Sequence, residues 1–95
     1  MENSLPVKRH IDFAGCNYIR DMYAVIKRQL ELPEETVNNT DDLWEALTGK
    51  MQLPADITIR RGITNDELID ALDEIIEVFY DAENKLSEIT VTIVD

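Results

Sequence analysis

Three stretches of this chain alternate apolar and polar residues, and between them apolar residues recur at helical spacing. In the first, Val7 to Phe13, the residues Val7, Arg9, Ile11 and Phe13 share one face and Lys8, His10 and Asp12 the other. That is the period of two of a half-buried strand, broken only at Arg9. Ile57 and Ile59 alternate with Asp56, Thr58 and Arg60 in a second strand. Ile89, Val91 and Ile93 alternate with Thr90 and Thr92 in a third. Gly15 ends the first strand. Asn17 then offers a helix cap, and Ile19, Met22, Tyr23, Ile26 and Leu30 form one helical stripe. Pro33 disfavours helical geometry at Leu32 and stops that helix. A short helix follows, capped by Thr40 or Asn39, with Asp41 and Asp42 in its first turn and Gly49 as a left-handed stop. Leu43, Ala46 and Leu47 make its core face, Asp41, Glu45 and Thr48 its outer face, and Trp44 the border. Past the turn at Gly62, Thr64 to Glu67 has the spacing of a capping box. Leu68, Leu72, Ile75, Ile76 and Phe79 then mark one long helix running to about Asn84.

The predicted order is strand, two helices, strand, helix, strand, which calls for a parallel sheet. Strands buried on both faces read as continuous apolar runs. These alternate, so the helices are expected to cover one face only. Right-handed crossovers that stay on one face step across the sheet in one direction. The expectation is an α/β fold of two layers, with a three-stranded parallel sheet in the order 1-2-3. Residues 1–95 read as a single domain, with 1–6 as a tail.

Charge adds the strongest compositional fact. Twenty acids against nine bases leave a net charge of -11. Such a chain repels nucleic acid and anionic membranes and attracts basic partners. Its Lys and Arg residues are scattered, whereas phosphate binding needs them clustered. No apolar run approaches the roughly 20 residues of a membrane span, and the start lacks the features of a secretory signal. Cys16 is the only cysteine, in keeping with a reducing cytoplasm.

Catalytic chemistry finds little support. His10, the one histidine, falls on the polar sheet face with no nucleophile in the pattern, and Cys16 has no partner histidine. One Cys and one His cannot supply a zinc site, and no glycine-rich phosphate loop is present. The expectation is a protein that is not an enzyme and needs no metal or cofactor. The acids, by contrast, are patterned. Asp41 and Glu45, Asp70 and Glu74, and Glu77 and Asp81 are like-charge pairs at i and i+4, which cost roughly 0.2–0.5 kcal/mol each in a helix. From Gly62 to Asn84 there are eight acids and no Lys or Arg. Local helix stability does not ask for this.

Leu30-Glu31-Leu32-Pro33-Glu34, a short polar loop, and Asn39-Thr40-Asp41-Asp42-Leu43-Trp44-Glu45-Ala46-Leu47-Thr48-Gly49 resemble the signature of the barstar family of intracellular ribonuclease inhibitors. Weaker similarity covers most of the remaining chain, notably Val78 to Ala82 and the last strand, Ile89 to Val94. The resemblance implies the same 1-2-3 sheet, and a loop and short helix over 34–49 that plug a nuclease active site. It implies that the carboxylate at Glu45 occupies the phosphate site, with help from Asp81. The family has two helices where one long helix is read here. It has two tyrosines and a glycine in place of Glu35, Thr36 and Val37, and an aspartate in place of Glu45, while Asn39, Asp41, Trp44 and Thr48 match. The partner-binding set is therefore Glu35, Thr36, Asn38, Asn39, Asp41, Trp44, Glu45, Thr48 and Asp81. The implied partner is a basic ribonuclease, barnase-like or a contact-delivered nuclease toxin, met by a cytoplasmic immunity-type protein that is monomeric when free. The alternative is an acidic interaction or regulatory module on the same fold that binds a non-nuclease protein.

Overall fold

A computed structural model describes residues 6–49, 51, 53–63 and 65–94. Strand β1 (Val7–Asp12) leads to helices α1 (Ile19–Leu30) and α2 (Thr40–Gly49). Strand β2 (Ala55–Arg60), helix α3 (Asp66–Lys85) and strand β3 (Ile89–Val94) follow. The sheet is parallel, in the order β1-β2-β3, with Ile11 level with Ile59 and Ile59 level with Ile93. The inward row of Ile11, Phe13, Ala55, Ile57, Ile59, Ile89 and Val91 is buried, while Lys8, His10, Arg60, Thr90 and Thr92 are exposed. One covered face and one open face follow from the alternation. α1 lies against β1, α3 against β3, and α2 against α3. The expected long helix is continuous.

Local chemistry departs from expectation at several ends. Asn17 does not cap α1. Tyr18 is the N-cap residue, and Asp21 reaches back to accept the N–H groups of Asn17 and Tyr18, both at 3.1 Å. Ile19, the first residue of the stripe, is 48% exposed. α1 ends at Leu30, before the proline takes effect. Glu31 turns left-handed (φ 57), and Leu32 N–H donates to the Lys27 carbonyl at 2.9 Å. Gly49 is the last helical residue of α2 and does not adopt the left-handed conformation expected of it. Thr64, the expected cap of α3, lies outside the described residues, as do 1–5 of the expected tail. Asn65 is the N-cap, accepting the Glu67 N–H at 2.9 Å.

Arg9 explains its place in an apolar row. It is level with Ile57, and its guanidinium donates to the Gln29 carbonyl at 3.3 Å and pairs with Glu31 at 3.5 Å. The cation thus sits at the C-terminal end of α1, where the helix dipole favours it. Gly62 is fixed by two constraints. Its φ is +58, and a Cβ there would stand 2.9 Å from the Ala14 Cβ. Gly62→Ala is expected to cost about 1–3 kcal/mol, read as a lower denaturant midpoint at unchanged slope.

Candidate functional site

The loop between α1 and α2 is built around one apolar anchor. Val37 is fully buried, so the polar residues on either side are held at the surface. Thr36 spends its hydroxyl on the Pro33 carbonyl at 2.7 Å. Asn38 accepts from the Lys27 ammonium at 3.4 Å, and its N–H donates to the Asp42 carboxylate at 3.3 Å. Lys27 also donates to the Glu34 carbonyl at 2.7 Å, so α1 clamps the loop at two points. Lys27 reads in the sequence as a solvated helix end. The structure makes it part of the loop's scaffold, and its only sequence signal is its position in the last turn of α1.

Asn39 starts α2. Its side-chain oxygen accepts the Asp42 N–H at 2.8 Å, and its carbonyl accepts the Leu43 N–H at 3.0 Å. With Asp42 reaching back to Asn38, the cap is reciprocal. Asn39→Ala should destabilise the protein by about 1 kcal/mol in thermal or urea unfolding, because it leaves an N–H of the first turn without a partner.

Beyond the cap, Leu43, Ala46 and Leu47 are buried and Trp44 is half-buried against the core. The Thr48 hydroxyl donates to the Trp44 carbonyl at 2.8 Å. Thr40, Asp41 and Trp44 of α2 line a shallow groove of about 380 Å³ with Val78 and Asp81 of α3. Three of the expected site residues, Asp41, Trp44 and Asp81, thus meet in one place. Glu45 stands outside that groove, one helical turn beyond Asp41 and exposed. Glu35 is exposed at the loop tip. Thr36, Asn38, Asn39 and Thr48 are engaged in holding the loop and helix. Thr40, read from the sequence as a cap, and Val78, which lies off the apolar stripe of α3 in the stretch of weaker family similarity, were not among the expected partner-binding residues.

The electrostatics of this face are one-signed. Asp41, Glu45 and Asp81 are exposed, and none enters an ion pair among the described residues, where Arg9, Arg60 and Arg61 pair with Glu31, Asp12 and Asp73. Tyr23, buried on α1, has its hydroxyl pKa raised, first by burial and then by the charges of Glu74 and Asp42. Elsewhere, the Cys16 thiol is also pushed up, by burial and then by Asp21 and Asp12, which disfavours the reactive thiolate.

The family model for Barstar (barnase inhibitor) matches residues 7–94. The chain belongs to the barstar family. The match takes in all three strands and all three helices, so the groove and loop lie wholly inside the family region. A Bacillus subtilis (strain 168) protein named "Putative ribonuclease inhibitor YrdF" is 28% identical over 79 residues, covering 82% of this chain and 87% of that protein. The barstar family is a family of inhibitors, and its fold here carries the acidic α2–α3 face. Among the described residues, no helix is long and apolar enough to cross a membrane.

Proposed function

We propose that this protein is a non-catalytic inhibitor of a basic ribonuclease, closing the enzyme's active site with the loop and short helix 34–49. The observation that carries the reading is the set of carboxylates Asp41, Glu45 and Asp81, unpaired among the described residues and displayed around Trp44 on a barstar-family fold. A ribonuclease holds phosphate with Arg, Lys and His. A carboxylate already fixed on a capped helix can take the phosphate's place, and charge-assisted bonds to Arg are the strong, often bidentate ones. Glu45 is the phosphate mimic. Asp41 and Asp81 meet cations at the groove, and Trp44 supplies apolar area between them. The protein acts in the cytoplasm, as an immunity-type partner of a barnase-like or contact-delivered nuclease, and binds no nucleic acid itself.

The test is co-purification from the native host, then a ribonuclease assay of the captured partner with and without this protein. The expected result is a small basic nuclease whose activity falls stoichiometrically. Capture of partners with no ribonuclease activity would favour the regulatory module instead.

The interface should also report on itself. Trp44 is the only tryptophan, and its emission should shift on adding the nuclease. The association rate should fall steeply with salt, since exposed charges are screened over roughly 8–10 Å near physiological ionic strength. An association rate indifferent to salt would exclude electrostatic steering. Trp44→Phe separates two roles: early melting with normal binding would make the ring a prop for α2 rather than a contact.

A further inference from the structure

The sheet has two outer edges, and the fold treats them differently. In a parallel strand, the backbone groups of alternate residues turn to opposite sides. Val7 N–H donates to the Pro54 carbonyl and Phe13 N–H to the Arg60 carbonyl, so the odd residues of β1 face β2. Ala55 N–H donates to the Glu88 carbonyl and Arg61 N–H to the Val94 carbonyl, so β3 turns Ile89, Val91 and Ile93 outward. Two of those outward groups are occupied. Ile89 N–H donates to the Leu86 carbonyl at 3.2 Å, and Val91 N–H to the Glu83 carboxylate at 2.8 Å. A carboxylate laid along an edge keeps other strands away.

β1 has no such guard among the described residues. Its outward backbone groups belong to Lys8, His10 and Asp12, and no N–H of these three has a partner there. Their side chains lie on the open face of the sheet. A lysine on an edge ordinarily deters pairing, because the incoming strand brings nothing to meet its charge. A second β1 is different. Laid antiparallel with His10 level with His10 of the second copy, it sets Lys8 opposite Asp12 of the second copy, twice by symmetry. All three levels are then hydrogen-bonded pairs, and opposite charges directly across a pair are favourable. A shift of two residues in either direction loses both charge pairs and one level. Asp12 already accepts from Ala14 N–H at 2.9 Å and from Arg60 at 3.3 Å, but its carboxylate is exposed and has lone pairs to spare.

We propose that β1 is the contact surface for a second copy of this chain, pairing antiparallel about His10 into one six-stranded sheet. The acidic helices do not oppose it. α3 lies against β3 and α2 against α3, while α1 lies against β1. The α2–α3 groove is left open at both ends of the pair, so association does not depend on the inhibitory reading. Stable interfaces bury about 1,200–2,000 Å². A single strand pair buries less, so the dimer replaces the expected monomer only at high concentration.

Sedimentation equilibrium of the full chain, up to roughly 1 mM, tests this. The wild type is expected to show reversible monomer–dimer exchange. His10→Pro removes an outward N–H without touching the β1–β2 ladder, and should stay monomeric with an unchanged circular dichroism spectrum. Lys8→Asp and Asp12→Lys should each be monomeric alone, because each sets like charges across both pairs. Mixed in equal amounts they should associate as the wild type does, since the mixture restores both pairs and the same total charge. A monomeric wild type, a dimer that survives His10→Pro in a folded protein, or folded variants whose mixture fails to associate would each overturn the pairing.

Discussion

Glu45→Gln is expected to weaken nuclease binding by roughly 2–5 kcal/mol, chiefly through faster dissociation, because the enzyme's buried cations lose their counter-charge. Folding should not change. Glu45 is exposed and enters no ion pair among the described residues. Its removal relieves repulsion from Asp41 one turn earlier, so stability stays level or rises by a few tenths of a kcal/mol. The shape is kept and only the charge is lost, which makes the comparison clean. Glu45→Asp asks a further question about reach. If the nuclease pocket matches the longer acid found here, aspartate falls short of the cations and binds more weakly; if the pocket is barnase-like, it binds as well or better. Stopped-flow and equilibrium titrations of the three proteins against one nuclease, with melting curves alongside, give the answer. Binding by Glu45→Gln within error of wild type would rule out phosphate mimicry, whatever the family.

The contrast between what the sequence foretold and what it hid follows from range. Alternation along β1, β2 and β3 is a local signal, and because each strand keeps a polar row the one-sided sheet is legible in the sequence. The stripe from Leu68 to Phe79 likewise located α3. The helix ends were harder, since several residues compete to satisfy the same N–H groups. Asn17 looked the better cap by type, but Asp21 reaches back to that turn. Gly49 looked like a left-handed stop for α2 but does not turn left-handed, whereas α1 ends on a left-handed Glu31, beside Arg9 from a distant strand. The site divided the same way. Asp41, Trp44 and Glu45 could be assigned to one helix surface from spacing alone. The groove that joins Asp41 and Trp44 to Asp81 depends on how α2 rests against α3, and the family resemblance alone suggested it. Lys27 bonding to Glu34 and Asn38 is a tertiary contact with no periodic trace.

The rigidity of the site rests on a buried contact rather than on its charges, and Leu43→Ala exposes this. Leu43 is fully buried, on the face of α2 that it shares with Ala46 and Leu47. Truncation removes apolar atoms and leaves a cavity beneath the helix, a change that costs about 2–5 kcal/mol in a close-packed core. In a domain of this size each kcal/mol lowers the melting temperature by roughly 4–8 °C, so a fall of about 10 °C or more is expected. Ile19→Ala serves as the control. Ile19 is 48% exposed, and its loss should cost no more than about 0.5 kcal/mol. The second readout is nuclease affinity, measured well below the variant's melting temperature so that the protein is folded. A loosened α2 must be ordered again on binding, so affinity should fall by about tenfold even though no contact residue has changed. Glu45→Gln differs from this, since it keeps stability and loses binding through charge. If Leu43→Ala melts with the wild type, its buried face does not hold α2 in place. If it melts early but binds as tightly, the helix takes its shape from the partner, and the pre-ordered carboxylates are not what the nuclease meets.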